Sequence, residues 1–215
     1  MSNISDNNKI EFYKFLNGDI SIADFEKFIY SQTDLEHQLD EKIYLELILF
    51  NFNDKYIKVL LSDFIKEYII DEGQYETWKL KIILVDLIAD QHNLHIYLDK
   101  LYHLYCGIYQ DNGVRKYEFK FLSHLGLNYL YWMDKEYFKT HSSSSNWEVK
   151  YEKYFAEFEF YHQQLKPFAI DILAALNNKE IQILNDGTYS ITENIKQKLE
   201  PDNIYKLKHP NQNIH

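Results

Sequence analysis

The residues of this 215-residue chain whose types and spacing suit chemistry are few and scattered. Glu159-Phe160-Tyr161-His162 is an E-x-x-H at helical spacing. In di-iron bundles that spacing puts a carboxylate and an imidazole on one helix face as ligands to one metal. Such a site needs a second copy of the motif and two further inward Glu residues from facing helices. No second E-x-x-H occurs, and the nearest stretch, Asp34-Leu35-Glu36-His37, falls at a helix start. A second cluster comprises His92, His95 and His103 with Asp86, Asp90 and Asp99. His95 and Asp99 share a helix face, as do Asp99 and His103. Two antiparallel helices could gather these groups around Zn²⁺, but neither an H-E-x-x-H nor a cysteine pair accompanies them. A polar helix–helix corner accounts for the cluster, and a solvated helix edge beside an aromatic stripe accounts for Glu159 and His162.

Cys106 is the only cysteine and sits in the apolar stretch Leu104-Tyr105-Cys106-Gly107-Ile108, which suits a small buried hydrophobe. The six glycines stand singly, so the chain has no phosphate-cradling loop and no dinucleotide fingerprint, and no G-x-S-x-G occurs. Ser142 to Ser145 read as a flexible loop without a base partner. The expectation is a chain without catalytic residues, without a metal and without a cofactor.

The elements that would position such groups are mainly helical. Only six Gly and three Pro punctuate the chain. Asn8 to Leu16 reads as a first helix ended by Gly18, a residue suited to the left-handed position past a C-terminus. Ser21 with Asp24 resembles a capping box for a helix to Tyr30, with Ile22, Phe25, Phe28 and Ile29 facing in. Thr33, Asp40 and Asp54 are placed to cap the helices that follow. The second of these, Glu41 to Phe50, repeats Ile43, Leu47 and Phe50. The third carries Ile57, Leu60, Leu61, Phe64, Ile65 and Tyr68 as its stripe. From Gly73 to Gln91 the apolar set is Trp78, Ile82, Val85 and Ile88, with Leu84 beside it. The next helix covers Leu94 to Tyr109 and is ended by Asp111-Asn112-Gly113. Tyr117, Phe119 and Phe121 alternate with Glu118 and Lys120 like a strand, although residues 117–133 are assigned mostly to helix. A long helix then runs from Trp147 to Asn177, kinked or split at Pro167. Its stripe of Trp147, Tyr151, Tyr154, Phe155, Phe158 and Tyr161 fits a core, or an interface where partly exposed. Residues 180–184 and 188–191 flank Asn185-Asp186-Gly187 as a hairpin, because Asp-Gly suits positive φ. Thr192 caps a last helix to Leu199. The fold expected is mainly α, a multi-helix bundle-like domain spanning 1–215 with a small C-terminal β-hairpin. A subdivision into 1–141 and 147–208 around the serine run is possible.

The formal charge of −10 is uneven: residues 1–110 carry 10 Lys+Arg and 19 Asp+Glu, residues 111–215 carry 13 and 14. A field of this sign repels nucleic acid and anionic lipid and attracts a basic protein. Arg115 is the only arginine, so no cluster reads bases or phosphates bidentately. The polar start, Met1 to Lys9, lacks the apolar centre of a signal peptide, and no apolar run nears the roughly 20 residues of a membrane span. Nucleic acid and membrane are therefore excluded as expected partners, and a cytoplasmic location is expected. Abundant Lys, Asn, Ile and Tyr fit an AT-rich, bacterial coding genome.

Phe12-Tyr13-Lys14-Phe15-Leu16-Asn17-Gly18-Asp19-Ile20-Ser21-Ile22-Ala23-Asp24-Phe25-Glu26, continuing through Leu35-Glu36 to Leu47, resembles an F-L-x-G-x-I-S-I-x-E-F-E module. That module begins small bacterial proteins found among immunity genes of polymorphic-toxin systems. Asp24 stands where the pattern has its first Glu. The likeness covers roughly 60 of the 215 residues. It implies a protein that binds and occludes a cognate toxin, with no cofactor and no catalytic residue to carry over. Local charge density selects Asp34, Glu36, Asp40 and Glu41, with Asp71, Glu72 and Glu76, as acidic contacts to a basic toxin. The competing readings are a helical scaffold or regulatory protein, and a metal-dependent helical enzyme.

Overall fold

The computed structural model describes residues 4–109, 115–129, 134–141, 146–200 and 204–208. Its architecture is mainly helical with two small antiparallel two-stranded sheets. Two compact units are present, Met1–Tyr75 and Glu76–His215. No helix of the described residues is long and apolar enough to cross a membrane.

The N-terminal unit holds α1 (Asp6–Asn17), α2 (Ile22–Ser31), α3 (Leu35–Gln38), α4 (Glu41–Ile48) and α5 (Ile57–Phe64), the last passing into a π-helical turn, Ile65–Ile69. Local chemistry sets most boundaries. Gly18 ends α1 at φ 83°, donating its N–H to Lys14 and Phe15 carbonyls. The Ser21 hydroxyl accepts the Asp24 N–H at 3.1 Å and donates to the Asp24 carboxylate at 2.6 Å, fixing the start of α2. Asp40 likewise accepts the Lys42 N–H and starts α4. Asp34 rather than Thr33 occupies the cap position of α3, without a side-chain bond. The core is built of rings and aliphatics: Phe12, Phe15, Phe25, Ile29, Leu35, Leu47 and Leu61 are fully buried. The Phe15 and Phe25 rings stack at 4.1 Å. Ile57, Leu61, Phe64 and Ile65 face in as the periodicity predicts, but Leu60 and Tyr68 face out.

In the C-terminal unit, α6 (Glu72–Ala89), which begins before the unit boundary, leads to α7 (Leu94–Cys106). The strands β1 (Ile108–Tyr109) and β2 (Arg115–Lys116) pair antiparallel. A 3₁₀ turn (Lys120–Leu122) precedes α8 (Ser123–Gly126), then come α9 (Lys135–His141), α10 (Trp147–Phe155) and α11 (Phe158–Asn177). The hairpin of β3 (Ile181–Ile183) and β4 (Tyr189–Ile191) follows in the register Ile181↔Ile191, and α12 (Glu193–Leu199) comes last. Gly187 turns the hairpin at φ 82°. One core takes Leu84, Leu98, Phe119, Phe158, Tyr161 and Leu165 together, so segments on both sides of residues 142–145 contribute to it.

Three sequence expectations change here. α6 buries Leu80, Leu84 and Leu87, while Ile82 and Val85 are exposed. That helix is apolar on nearly opposite faces, and its neighbours decide which one is covered. The helix expected over 147–177 breaks at Ala156–Glu157 and continues through Pro167. Pro167 lies on the exposed side of α11. Residues 117–119 are not helical: Tyr117 has φ 59°, and its N–H bonds Gly187 O while that of Phe119 bonds Leu104 O. The alternation of Tyr117, Phe119 and Phe121 thus reflects burial along an irregular, nearly extended segment. The turn expected at 111–113, residues 130–133 and the serine run lie outside the described residues.

Candidate functional site

The E-x-x-H pair diverges. Glu159 is exposed, whereas His162 is 4% exposed and its Nε2–H donates to Leu87 O at 2.6 Å. Position 159 therefore sits at a solvated edge, and His162, expected there too, belongs to the interior. A helix face about 100° wide separates inward from outward positions, and these two fall on opposite sides of its border.

The histidine–aspartate cluster is a helix corner. Asp90 accepts the His92 N–H at 2.8 Å, the Asn93 side chain at 2.6 Å and the Tyr97 hydroxyl at 3.3 Å, closing the turn from α6 to α7. The Asn93 bond holds the Asp90 carboxyl below the usual carboxylate range. His92 stacks on Phe155 at 5.8 Å, His95 lies 5.9 Å from Phe158, and His103 reaches Asp99 at 3.5 Å. Burial pushes the His95 pKa down. Each imidazole thus has its own environment, and among the described residues no three His, Cys, Asp or Glu side chains are placed to hold a metal. In the aromatic stripe Tyr151, Phe158 and Tyr161 are buried, Phe155 and Trp147 partly so, and Tyr154 is exposed.

The acidic positions separate into two groups. Asp34, Glu36, Asp40 and Glu41 are exposed on α3, α4 and the turn between them. Asp71 is half-buried and accepts the Gln74 N–H at 2.8 Å, which starts α6, and Glu72 beside it is also half-buried. Glu76 is 7% exposed, with its carboxylate 2.7 Å from Lys79 Nζ. The Glu76 carboxylate is thus buried in an ion pair with the partly exposed Lys79. Sequence charge density cannot separate such a carboxylate from an exposed one such as Glu41.

The division into units concentrates the charge further than the sequence halves do. Residues 1–75 hold 15 Asp+Glu against 7 Lys, a net −8, and residues 76–215 hold 18 against 16, a net −2. The segment 34–46 alone carries Asp34, Glu36, Asp40, Glu41 and Glu46 against Lys42.

The same unit exposes apolar side chains beyond what its core uses. Leu45 lies on α4 and Leu49, four residues on and 78% exposed, at its C-terminal cap. Tyr56, Val59 and Leu60, spaced at i, i+3 and i+4, stand out along α5. Tyr30 is exposed as well, its hydroxyl bonded to Ile48 O at 3.0 Å at the end of α4. The sequence signal for these positions was the apolar residues off the inward stripe, and Leu60 was assigned to the wrong side of it.

Comparison of the chain with models of known families, with curated proteins and with solved structures yields no match.

Proposed function

We propose that this chain is a binding protein that neutralises a basic protein toxin by covering it, acting in the bacterial cytoplasm by contact rather than by catalysis. The observation that carries the reading is the charge of the N-terminal unit, −8 over 75 residues, with Asp34, Glu36, Asp40 and Glu41 held in solvent by α3 and α4. A field of that sign speeds the encounter with a cationic protein and disfavours polyanions. The resemblance of residues 12–47 to the immunity-protein module supports the same role. Of the groups that would favour a metal enzyme, the Asp90 carboxylate is engaged at the α6–α7 corner and His162 on the Leu87 carbonyl.

The test is to read the gene immediately upstream and, where it encodes a secreted toxin, to co-express the two chains. Rescue of growth, a complex that copurifies, and an association rate that falls as NaCl rises from about 0.05 to 0.5 M are expected, because exposed charges are screened beyond the Debye length. A chain that neither rescues growth nor forms the complex is not an immunity protein.

A further inference from the structure

α4 and α5 are consecutive helices with the same construction. Each lays one apolar stripe on the N-terminal core, Leu47 in α4 and Ile57, Leu61 and Phe64 in α5. Each also turns apolar side chains to solvent, Leu45 in α4 with Leu49 at its C-terminal cap, and Val59 and Leu60 in α5. A surface helix ordinarily carries one apolar stripe and a polar back, and apolar residues on both sides belong to a helix covered on both sides. Single exposed leucines are commonplace, but exposed apolar pairs on two consecutive helices of one small unit add apolar area of the kind that interaction surfaces use. Tyr30, held by its hydrogen bond to Ile48 O, adds an aromatic side chain with a fixed hydroxyl at the end of α4.

The charge around α4 says what covers it. The exposed carboxylates of Asp34, Glu36, Asp40, Glu41 and Glu46 precede or share this helix, and Lys42, the one lysine among them, lies 3.9 Å from Glu46. A second copy of the chain would bring the same carboxylates against each other. Nucleic acid and anionic lipid are repelled by the same field.

We infer that the outward faces of α4 and α5, with Leu45 and Leu49 as the main anchors and Val59 and Leu60 beside them in sequence, receive the partner, a protein domain with an apolar centre and a Lys/Arg rim. This rests on the reading of the chain as a toxin-binding protein and adds where the toxin sits. Leucine anchors at the centre of the interface set the lifetime of the complex, and the carboxylates on α3 and α4 set its rate of formation.

The experiment uses the full chain and the toxin that it neutralises in the co-expression test, inactivated by substitution, with Kd and both rate constants measured. Leu45→Ala with Leu49→Ala is expected to raise Kd about 100-fold or more, mostly through faster dissociation. Val59→Ala with Leu60→Ala acts in the same direction. Asp40→Asn with Glu41→Gln slows association and flattens its salt dependence. Ile82→Ala with Val85→Ala, the exposed apolar pair of α6, leaves Kd within about twofold. Thermal melting verifies that the substituted chains fold, as expected for solvent-facing positions. If the unsubstituted chain binds and the leucine variants bind as tightly, the face is overturned while the toxin-binding reading stands. If the unsubstituted chain does not bind, both fall. If sedimentation shows a dimer that the leucine variants dissociate, the face pairs copies of this chain and the inference is wrong.

Discussion

The two units of this chain solve the same problem with different chemistry. Residues 1–75 fill their core with rings and aliphatics and leave the charge outside, Asn8 being the buried polar residue there, bonded to Gln38 at 3.0 Å. Residues 76–215 are nearly balanced in charge but bury Ser123, His124, Asn128 and His162. Those polar groups have work inside the fold. The Asn128 amide donates to Tyr205 O at 2.8 Å and accepts the Leu207 N–H at 3.1 Å, imitating a strand partner. His124 Nδ1 accepts the Tyr205 N–H at 3.0 Å, and the ring stacks on Phe168 at 4.4 Å. Gln164 accepts the Tyr205 hydroxyl and the Lys208 N–H. Residues 204–208 are thus held with hydrogen bonds that a regular element would otherwise supply. The polar residues of the N-terminal unit sit mostly at the surface, whereas several in the C-terminal unit complete the interior.

The contrast is open to direct tests. Phe25→Ala removes a ring packed against Phe12, Phe15 and Phe28 and is expected to cost about 3–5 kcal/mol in denaturant unfolding. A loss below about 1 kcal/mol would mean that the aromatic core is not close-packed. Asn128→Ala leaves Tyr205 O and Leu207 N–H without their partner and is expected to cost about 1–3 kcal/mol, with faster proteolysis within residues 204–208. Asn128→Asp keeps only the acceptor and should not restore the segment. Unchanged proteolysis in both variants would show that Asn128 does not hold it.

At the surface of the N-terminal unit, Ser21→Ala deletes the cap of α2 and is expected to cost about 1 kcal/mol by the same measurement, with Ser21→Asn recovering part of it. The gentlest test is acidity. Burial lowers the pKa of His95 and of His124 below 6.5, and both lie in the C-terminal unit. The folded state favours their neutral forms, so this contribution is complete above pH 6.5 and is lost as pH falls below it. Hydrogen exchange in α7 and α8 should therefore accelerate more between pH 7 and pH 5.5 than intrinsic exchange rates dictate. His124→Gln with His95→Gln should reduce that pH dependence. An equal pH dependence in the substituted chain would place its origin elsewhere.

Legibility in the sequence followed the range of the interaction. The Gly18 stop, the Ser21 and Asp40 caps and the Asp186-Gly187 turn are decided within four residues, and the chain displays them openly. The acidity of the first 75 residues needs only counting. The charged part of the candidate surface was visible for that reason, and its apolar part was not. Leu60 and Leu61 are chemically alike, and only the neighbours of α5 make one core and the other surface.

The sequence by itself determined a mainly helical protein with a C-terminal hairpin, because caps, turns and apolar periodicity are local. Tertiary structure decided which face of α6 is buried, that Glu76 is covered, that His162 meets Leu87 O, and that Asn128 clamps residues 205–207. In the last two the partners lie 75 or more residues apart, so nothing in the neighbourhood of either records the other. The same holds for Leu45 and Leu49, whose exposure is a statement about what the rest of the chain leaves uncovered.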